Sequence, residues 1–136
     1  MARHFFLALA LAALSGCSAT DDIVHGRPLP LVGLEGRWAG PVTPSDVAAC
    51  GPARHGIMVI SGGTFAFDPF SSIIIMHGTV GDDDALHGTV ERPGGDGKML
   101  RLDFTGAPRA APDGTRTIGG ALTSGPCTWQ VSLGRG

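Results

Sequence analysis

Cys127-Thr128-Trp129-Gln130-Val131-Ser132-Leu133 is the stretch of this chain that decides the fold, because its side chains alternate strictly in character. Cysteine, tryptophan, valine and leucine occupy every second position, and threonine, glutamine and serine stand between them. Successive side chains of a β-strand point to opposite faces of its sheet, so this stretch predicts a strand with one buried and one solvated face. Such strands are typical of antiparallel sheets.

The same alternation recurs along the chain. Between residues 99 and 105, Leu100, Leu102 and Phe104 share one face, and the polar residues 101, 103 and 105 share the other. Short apolar or alternating runs separated by glycine, proline and aspartate predict further strands. Eight strands are expected, at residues 36–42, 56–61, 64–67, 72–80, 85–91, 99–105, 117–123 and 127–133. Only residues 45–49 are expected to form a helical turn, and no segment could supply a crossover helix between parallel strands.

A short internal repeat predicts one hairpin in detail. The tetrapeptide His-Gly-Thr-Val occurs twice, beginning at His77 and at His87, and Gly-Asp-Asp-Asp lies between the copies. Those intervening residues are typical of a turn. The hairpin register that follows places Gly78 opposite Gly88. A pair of facing glycines would let the sheet bend or let a large inner side chain approach its wall.

The start of the chain indicates export and anchoring. Arg3, an apolar run over residues 5–14 and a small-residue ending are typical of a secretory signal. The run is about half the roughly 20 residues that a membrane-spanning helix needs. Leu14-Ser15-Gly16-Cys17 resembles the lipobox of bacterial lipoproteins. That resemblance implies cleavage before Cys17 and membrane anchoring by acyl chains, such as palmitate, on Cys17; the alternative is an ordinary signal peptide with an incidental cysteine.

The lipobox resemblance sets the domain organisation. Residues 1–16 would be the lipoprotein signal peptide, residues 17–30 a lipidated tether and residues 31–136 a single all-β domain. Ser18 follows the cysteine, which in that family implies sorting to the outer membrane. We therefore expect the domain to be lipid-anchored in the cell envelope and to face the periplasm.

The two remaining cysteines bear on the architecture. In an exported protein, Cys50 and Cys127 are most simply a disulfide, and the alternative is a metal or redox pair. Cys127 begins the last predicted strand, and Cys50 lies in the loop after the first. Because the first and last strands are neighbours in a closed up-and-down barrel, the pairing favours a small antiparallel barrel over a β-sandwich.

The opening of the domain carries a second resemblance. Gly36-Arg37-Trp38 resembles the start of the first strand in calycins, the group that includes lipocalins, avidins and bacterial metalloprotease inhibitors. The resemblance implies that Trp38 closes one barrel end with Arg135 packed over it. It also implies either an open mouth for a ligand or an N-terminal segment, here residues 27–31, that plugs a protease. The alternative is that Trp38 is only a core residue.

Candidate chemistry is sparse. No catalytic or cofactor motif is present, so we predict neither enzyme activity nor a cofactor. His77 and His87 are expected to be exposed strand residues rather than metal ligands, and residues 82–84 a charged hairpin tip rather than a Ca²⁺ site. The net charge of −2 without a basic patch argues against nucleic-acid binding.

The leading hypothesis from the sequence is therefore a non-enzymatic binding or interaction module held at the membrane by its lipid anchor. Its partner would be an envelope protein or a small apolar ligand. Residues 73–76 are apolar on both faces of a predicted strand, so one face could meet a partner, or both could be covered within the fold. The alternative function is inhibition of an envelope-directed hydrolase, either a protease or lysozyme.

Overall fold

Within the residues that the structure describes, the fold is an eight-stranded antiparallel β-barrel with one short helix. A computed structural model describes residues 33–71 and 74–136; the predicted signal peptide, Cys17 and the predicted tether lie outside these residues. The helix, α1, covers Val47–Cys50. The strands are β1 (Gly36–Pro44), β2 (Arg54–Ser61), β3 (Thr64–Asp68), β4 (Met76–Val80), β5 (Leu86–Pro93), β6 (Met99–Ala110), β7 (Arg116–Ser124) and β8 (Cys127–Arg135).

The barrel closes between the first and last strands. Each strand pairs with the next one in sequence, and β1 also pairs with β8, with Val42 opposite Val131. This closure confirms the predicted up-and-down barrel and excludes the sandwich, because no strand between β1 and β8 is left as an edge. The predicted helical turn is confirmed as α1. The Asp46 carboxylate caps it by accepting hydrogen bonds from the backbone N–H groups of Ala48 and Ala49, at 2.9 and 3.2 Å.

Two predicted strand boundaries were wrong by about four or five residues. Strand β4 begins at Met76 rather than at residue 72, since its pairing with β3 ends at Phe67 opposite Met76. There the chain leaves β3 in a turn in which the Phe70 N–H donates to the Asp68 carboxylate. Strand β6 continues to Ala110 instead of ending at residue 105, because it stays paired with β7. The pairing persists across Gly106 and Pro108, although glycine and proline usually weaken or end a strand.

The interior of the barrel is filled. The hairpin register predicted from the repeat is confirmed, with Gly78 opposite Gly88. These glycines make room for the ring of Phe65, and a Cβ atom on Gly88 would lie 2.9 Å from its Cζ. The rings of Phe65 and Phe67 pack against Phe104 with centroids 5.9 and 5.1 Å away. The core consists of Leu34, Trp38, Val42, Met58, Ile60, Phe65, Phe67, Ile74, Met76, Leu86, Leu102, Phe104, Ile118, Leu122, Trp129, Val131 and Leu133.

The strand order gives the barrel two distinct ends. One end carries the start of β1, the end of β8 and the β2–β3, β4–β5 and β6–β7 turns; we call it the closed end. The opposite end carries α1, the start of β2, the β3–β4 loop, the β5–β6 turn and the start of β8; we call it the mouth.

Candidate functional site

The closed end is sealed by Trp38. Its side chain is fully buried, and its Nε1–H donates a hydrogen bond to the Leu34 carbonyl at 2.8 Å. The Arg135 guanidinium carbon lies 4.2 Å from the centroid of the Trp38 ring, and the guanidinium also donates to the carbonyls of Gly33 and Glu35. The structure therefore places the residues proposed as a barrel-end pair in contact, where they close this end.

The mouth is held together by the predicted disulfide. Cys50 and Cys127 are bonded with their Cα atoms 5.5 Å apart, which joins the end of α1 to the start of β8. Beside the disulfide, the Ser45 N–H donates to the Thr128 carbonyl at 2.9 Å. The hydroxyl of Ser45 donates to the same carbonyl at 3.0 Å. At the mouth, the segment that follows β1 is thus fixed to β8 by one covalent bond and two hydrogen bonds.

An open cleft of about 230 Å³ lies at the mouth beside this disulfide. The rings of Phe70 and Trp129 meet edge to face at a centroid distance of 5.3 Å, the preferred geometry for an aromatic pair. We call this cavity the mouth cleft. Its lining consists of Cys50, Gly51, Pro52, Arg54, Phe70 and Trp129.

Arg54 is the one ionisable side chain in that lining. It begins β2, two residues before Gly56 on the same side of the strand, so it stands on the inward side at the lip of the mouth. Among residues 33–71 and 74–136, no carboxylate forms an ion pair with Arg54. The mouth cleft therefore combines an aromatic wall with a positive charge that has no carboxylate partner among the described residues.

Apolar side chains surround the mouth. Val47, Ile75, Met99 and Leu100 are 63, 54, 62 and 40 % exposed, and we call them the apolar rim. Leu100 shares the inward face of β6 with Leu102, as predicted. It is exposed because it stands at the strand start, beyond the packed core. A concentration of exposed apolar side chains at one end of a small domain indicates a surface that binds another molecule.

Two further grooves lie on the outer wall, with volumes of about 370 and 360 Å³. The first lies over Gly78 between β2, β3 and β4 and includes Val59 and His77. The second lies over Gly119 and Gly120, between β6, β7 and β8. Neither combines two aromatic rings with a cation, so the mouth cleft is the better candidate site.

The histidines and aspartates that the sequence predicts to be surface residues rather than metal ligands lie away from the mouth cleft. His77 and His87 are exposed on the outer wall, on the face predicted for them. At the adjacent hairpin tip, the Asp83 carboxylate accepts a hydrogen bond from the Ala85 N–H at 3.1 Å, which is a turn interaction. Within the described part of the chain, no group of three or more His, Cys, Asp and Glu side chains could hold a metal ion.

An exposed polar network lies on the outer wall across β5 and β6. Arg101 pairs with Asp103 at 2.9 Å and with Glu91 at 3.3 Å, and the Thr89 hydroxyl donates to Asp103 at 2.7 Å. Hydrogen bonds from Arg101 and then Thr89 lower the pKa of Asp103. These partners satisfy one another, so the network supports the strand pair and offers no unpaired group for chemistry.

Sequence reasoning did not identify Arg54 or Phe70 as members of a site. Arg54 lies just before the predicted start of β2, and Phe70 follows the Asp-Pro turn that ends β3. The available signal was indirect. Trp129 follows Cys127 by two residues on the same face, so the disulfide already placed an aromatic ring at the mouth.

Comparison with known protein families, with curated proteins and with solved structures finds no match for this chain. No helix in residues 33–71 and 74–136 is both long enough and apolar enough to cross a membrane.

Proposed function

We propose that this protein is a non-enzymatic binding module of the cell envelope that engages its partner through the mouth of the barrel. The observation that carries the proposal is the combination of the mouth cleft with the apolar rim at one end of a barrel whose interior is filled. A filled interior favours recognition at the mouth over storage of a ligand inside. The lining holds a single ionisable side chain, whereas general acid–base catalysis usually requires a matched pair.

The proposed lipid anchor suits this use of the mouth. The described chain begins at Gly33, whose carbonyl accepts from Arg135 at the closed end. A tether that leads into Gly33 would therefore reach the domain at the end opposite the mouth. Residues 17–30 can span at most roughly 50 Å. An anchor at Cys17 in the outer membrane would then hold the domain on the periplasmic side with its mouth free to meet an envelope protein.

The anchor is tested by replacing Cys17 with alanine. Loss of the acylated cysteine should move the protein from the membrane fraction into the soluble fraction, because acyl chains supply its membrane affinity. The measurement is fractionation of cells expressing either form, followed by extraction with and without detergent. A Cys17→Ala protein that still requires detergent would contradict lipid anchoring at this residue.

The binding function is tested by in-cell crosslinking of the native lipidated protein followed by mass spectrometry. A photoreactive residue at Val47, on the apolar rim, should capture a specific envelope protein, since that side chain is 63 % exposed at the mouth. The same residue at Gln130, exposed on the outer wall of β8, is the matched control. Capture only from Gln130, or from neither position, would overturn binding through the mouth.

A second candidate function is inhibition of an envelope-directed protease or lysozyme. The observation that favours it is α1, a turn that is capped by Asp46, fixed by the disulfide at Cys50 and presents an exposed Val47. Rigid interfaces of this kind are usual in enzyme–inhibitor complexes. The variant Val47→Asp should weaken inhibition of any sensitive enzyme, whereas deletion of residues 18–31 should not. The reverse result would assign inhibition to the N-terminal segment.

A further inference from the structure

We infer that the mouth cleft receives one large apolar side chain of a protein partner, together with a carboxylate beside that side chain, which pairs with Arg54. The inference rests on the binding function proposed above and names the chemistry that the site selects. It is carried by the size of the cleft, its aromatic wall, its one cation and the apolar rim around it.

The size of the cleft limits its occupant to one side chain. Its volume of about 230 Å³ exceeds the roughly 150 Å³ cavity that binds benzene, and it is smaller than the roughly 300–1,000 Å³ pockets that enclose drug-sized ligands. The filled core leaves no inward path for a long alkyl chain, since Met58, Phe67 and Phe104 are at most 1 % exposed. A phenylalanine, tryptophan or leucine side chain has the appropriate size.

The wall of the cleft favours an apolar and preferably aromatic occupant. Phe70 is partly buried and Trp129 is 7 % exposed, so both rings are already held in place by the fold. Their edge-to-face pair leaves ring surface on the open side of the cleft. A third ring can pack there with little loss of side-chain entropy in the protein, because the receiving rings are preorganised.

The positive charge of Arg54 at the lip of the mouth is the reason to expect a carboxylate on the occupant. Arg54 has no carboxylate partner among the residues that the structure describes, and its guanidinium can accept a carboxylate through two parallel hydrogen bonds. A chain-terminal carboxylate after an apolar residue satisfies both requirements, and so does an aspartate or glutamate next to such a residue. A neutral partner would bring no carboxylate to Arg54 at the edge of the apolar contact.

The apolar rim identifies the occupant as part of a protein. Val47, Ile75 and Leu100 are exposed at the same end of the barrel as the cleft but outside its lining, so a small ligand in the cleft would leave them uncovered. A single anchor side chain in a pocket, surrounded by apolar contacts that exclude water, is the usual arrangement at the centre of a protein interface. The cleft and rim together therefore fit a protein segment better than a free metabolite.

The test uses ¹⁹F NMR of the full lipidated protein in nanodiscs, labelled with 5-fluorotryptophan. The chain contains two tryptophans, so Trp129 reports on the cleft, and Trp38 at the closed end is an internal control. The probes are N-acetyl-phenylalanine and its amide, which differ only in the carboxylate. The acid should move the Trp129 signal with a dissociation constant in the millimolar range and leave Trp38 unmoved. The amide should bind about fivefold more weakly.

Variants distinguish the contribution of the Arg54 charge to binding from that of the apolar cleft. Arg54→Gln should remove the difference between acid and amide, whereas Arg37→Gln, an exposed arginine on the outer face of β1, should preserve it. Equal affinities for acid and amide in the unmodified protein would overturn the role of Arg54. An unmoved Trp129 signal at about 20 mM acid would overturn the cleft as a binding site. Tighter binding of octanoate than of the aromatic acid would assign the site to a free aliphatic acid.

The two experiments distinguish failure of this inference from failure of the proposed binding function. A partner captured from Val47, combined with an unmoved Trp129 signal, would leave the binding function standing and refute only the occupant of the cleft. Binding of the acid at Trp129 without any captured protein would refute the protein partner and retain a site for small aromatic acids.

Discussion

At the scale of single residues, glycines determine how the aromatic core fits inside the barrel. Phe65 fills space above Gly78 and Gly88, and Phe104 does the same above Gly106 and Gly120. An added methyl group at these positions would meet a ring that cannot move away, because the interior is already close-packed. The sequence revealed the Gly78–Gly88 pair through its repeat, but gave no comparable signal for the Phe104 pair, whose glycines are not set in repeated tetrapeptides.

Gly88→Ala tests this fit. The new Cβ atom would lie 2.9 Å from both the Met76 sulfur and the Phe65 Cζ atom, so we expect a loss of about 1–3 kcal/mol in the free energy of unfolding. Urea denaturation of the purified protein measures it. The matched control is Gly134→Ala on β8, where an added Cβ has no atom within 4 Å and should be neutral or slightly stabilising. Equal effects of the two substitutions would contradict the packing argument.

At the scale of elements, three hairpin loops share one design. In residues 81–85, 94–98 and 111–115, the first N–H donates to the fifth carbonyl at 2.7–2.8 Å, and the fourth N–H donates to the first carbonyl at 2.9–3.0 Å. The third residue is always an aspartate whose carboxylate accepts from the fifth N–H at 2.9–3.1 Å. The fourth residue takes a positive φ, as in hairpins with a type I turn and a glycine bulge.

The loop at residues 81–85 differs from the other two because its fourth residue, Asp84, is not a glycine. This difference provides a prediction. The φ of Asp84 is 62°, whereas glycines occupy the equivalent positions 97 and 114. Asp84→Gly should raise the free energy of unfolding by about 0.5–1 kcal/mol, because glycine avoids the steric cost of a left-handed conformation. Gly114→Asp should lower it by a similar amount in the matched loop. Calorimetric melting of both variants measures the effect, and a lower melting temperature for Asp84→Gly would count against this reasoning.

One of these loops, residues 111–115, predicts a dependence on pH. Hydrogen bonds from the Thr115 side chain and backbone lower the pKa of Asp113 in the folded protein. The stabilisation is therefore complete above the ordinary carboxyl pKa near 4 and is lost as the pH falls through the lower pKa of the folded state. Asp113→Asn keeps an acceptor oxygen but cannot titrate, so it should lose less stability between pH 5 and pH 2. Urea denaturation across that range measures it, and an unchanged pH profile would refute the assignment.

At the scale of the whole molecule, alternation and the disulfide were enough to predict the architecture, and the details of the mouth were not. Alternating side chains defined the strands, and the positions of Cys50 and Cys127 predicted closure, which the pairing of β1 with β8 confirms. The mouth cleft depends on where β2 begins and where β3 ends, and such boundaries are set by pairing with neighbouring strands. The lipid anchor and the calycin resemblance remain predictions.

The disulfide should contribute much of the stability of this small barrel. It closes a loop between residues 77 positions apart, for which the chain-entropy model gives at most about 4–5 kcal/mol. Small domains are stable by only about 5–15 kcal/mol in total. A double variant with Cys50→Ser and Cys127→Ser should therefore melt at a sharply lower temperature than the oxidised wild type, and so should the wild type after reduction.

The mouth gives that experiment a second readout. Cys50 lines the cleft and the disulfide joins α1 to β8, so its loss should disturb the ¹⁹F signal of Trp129 in the folded double variant. The signal of Trp38 should stay in place, because its partners Leu34 and Arg135 lie at the closed end. If the melting temperature under oxidising conditions does not change, the disulfide is not needed to keep the barrel closed. If both tryptophan signals shift together, the two ends of the barrel do not respond independently.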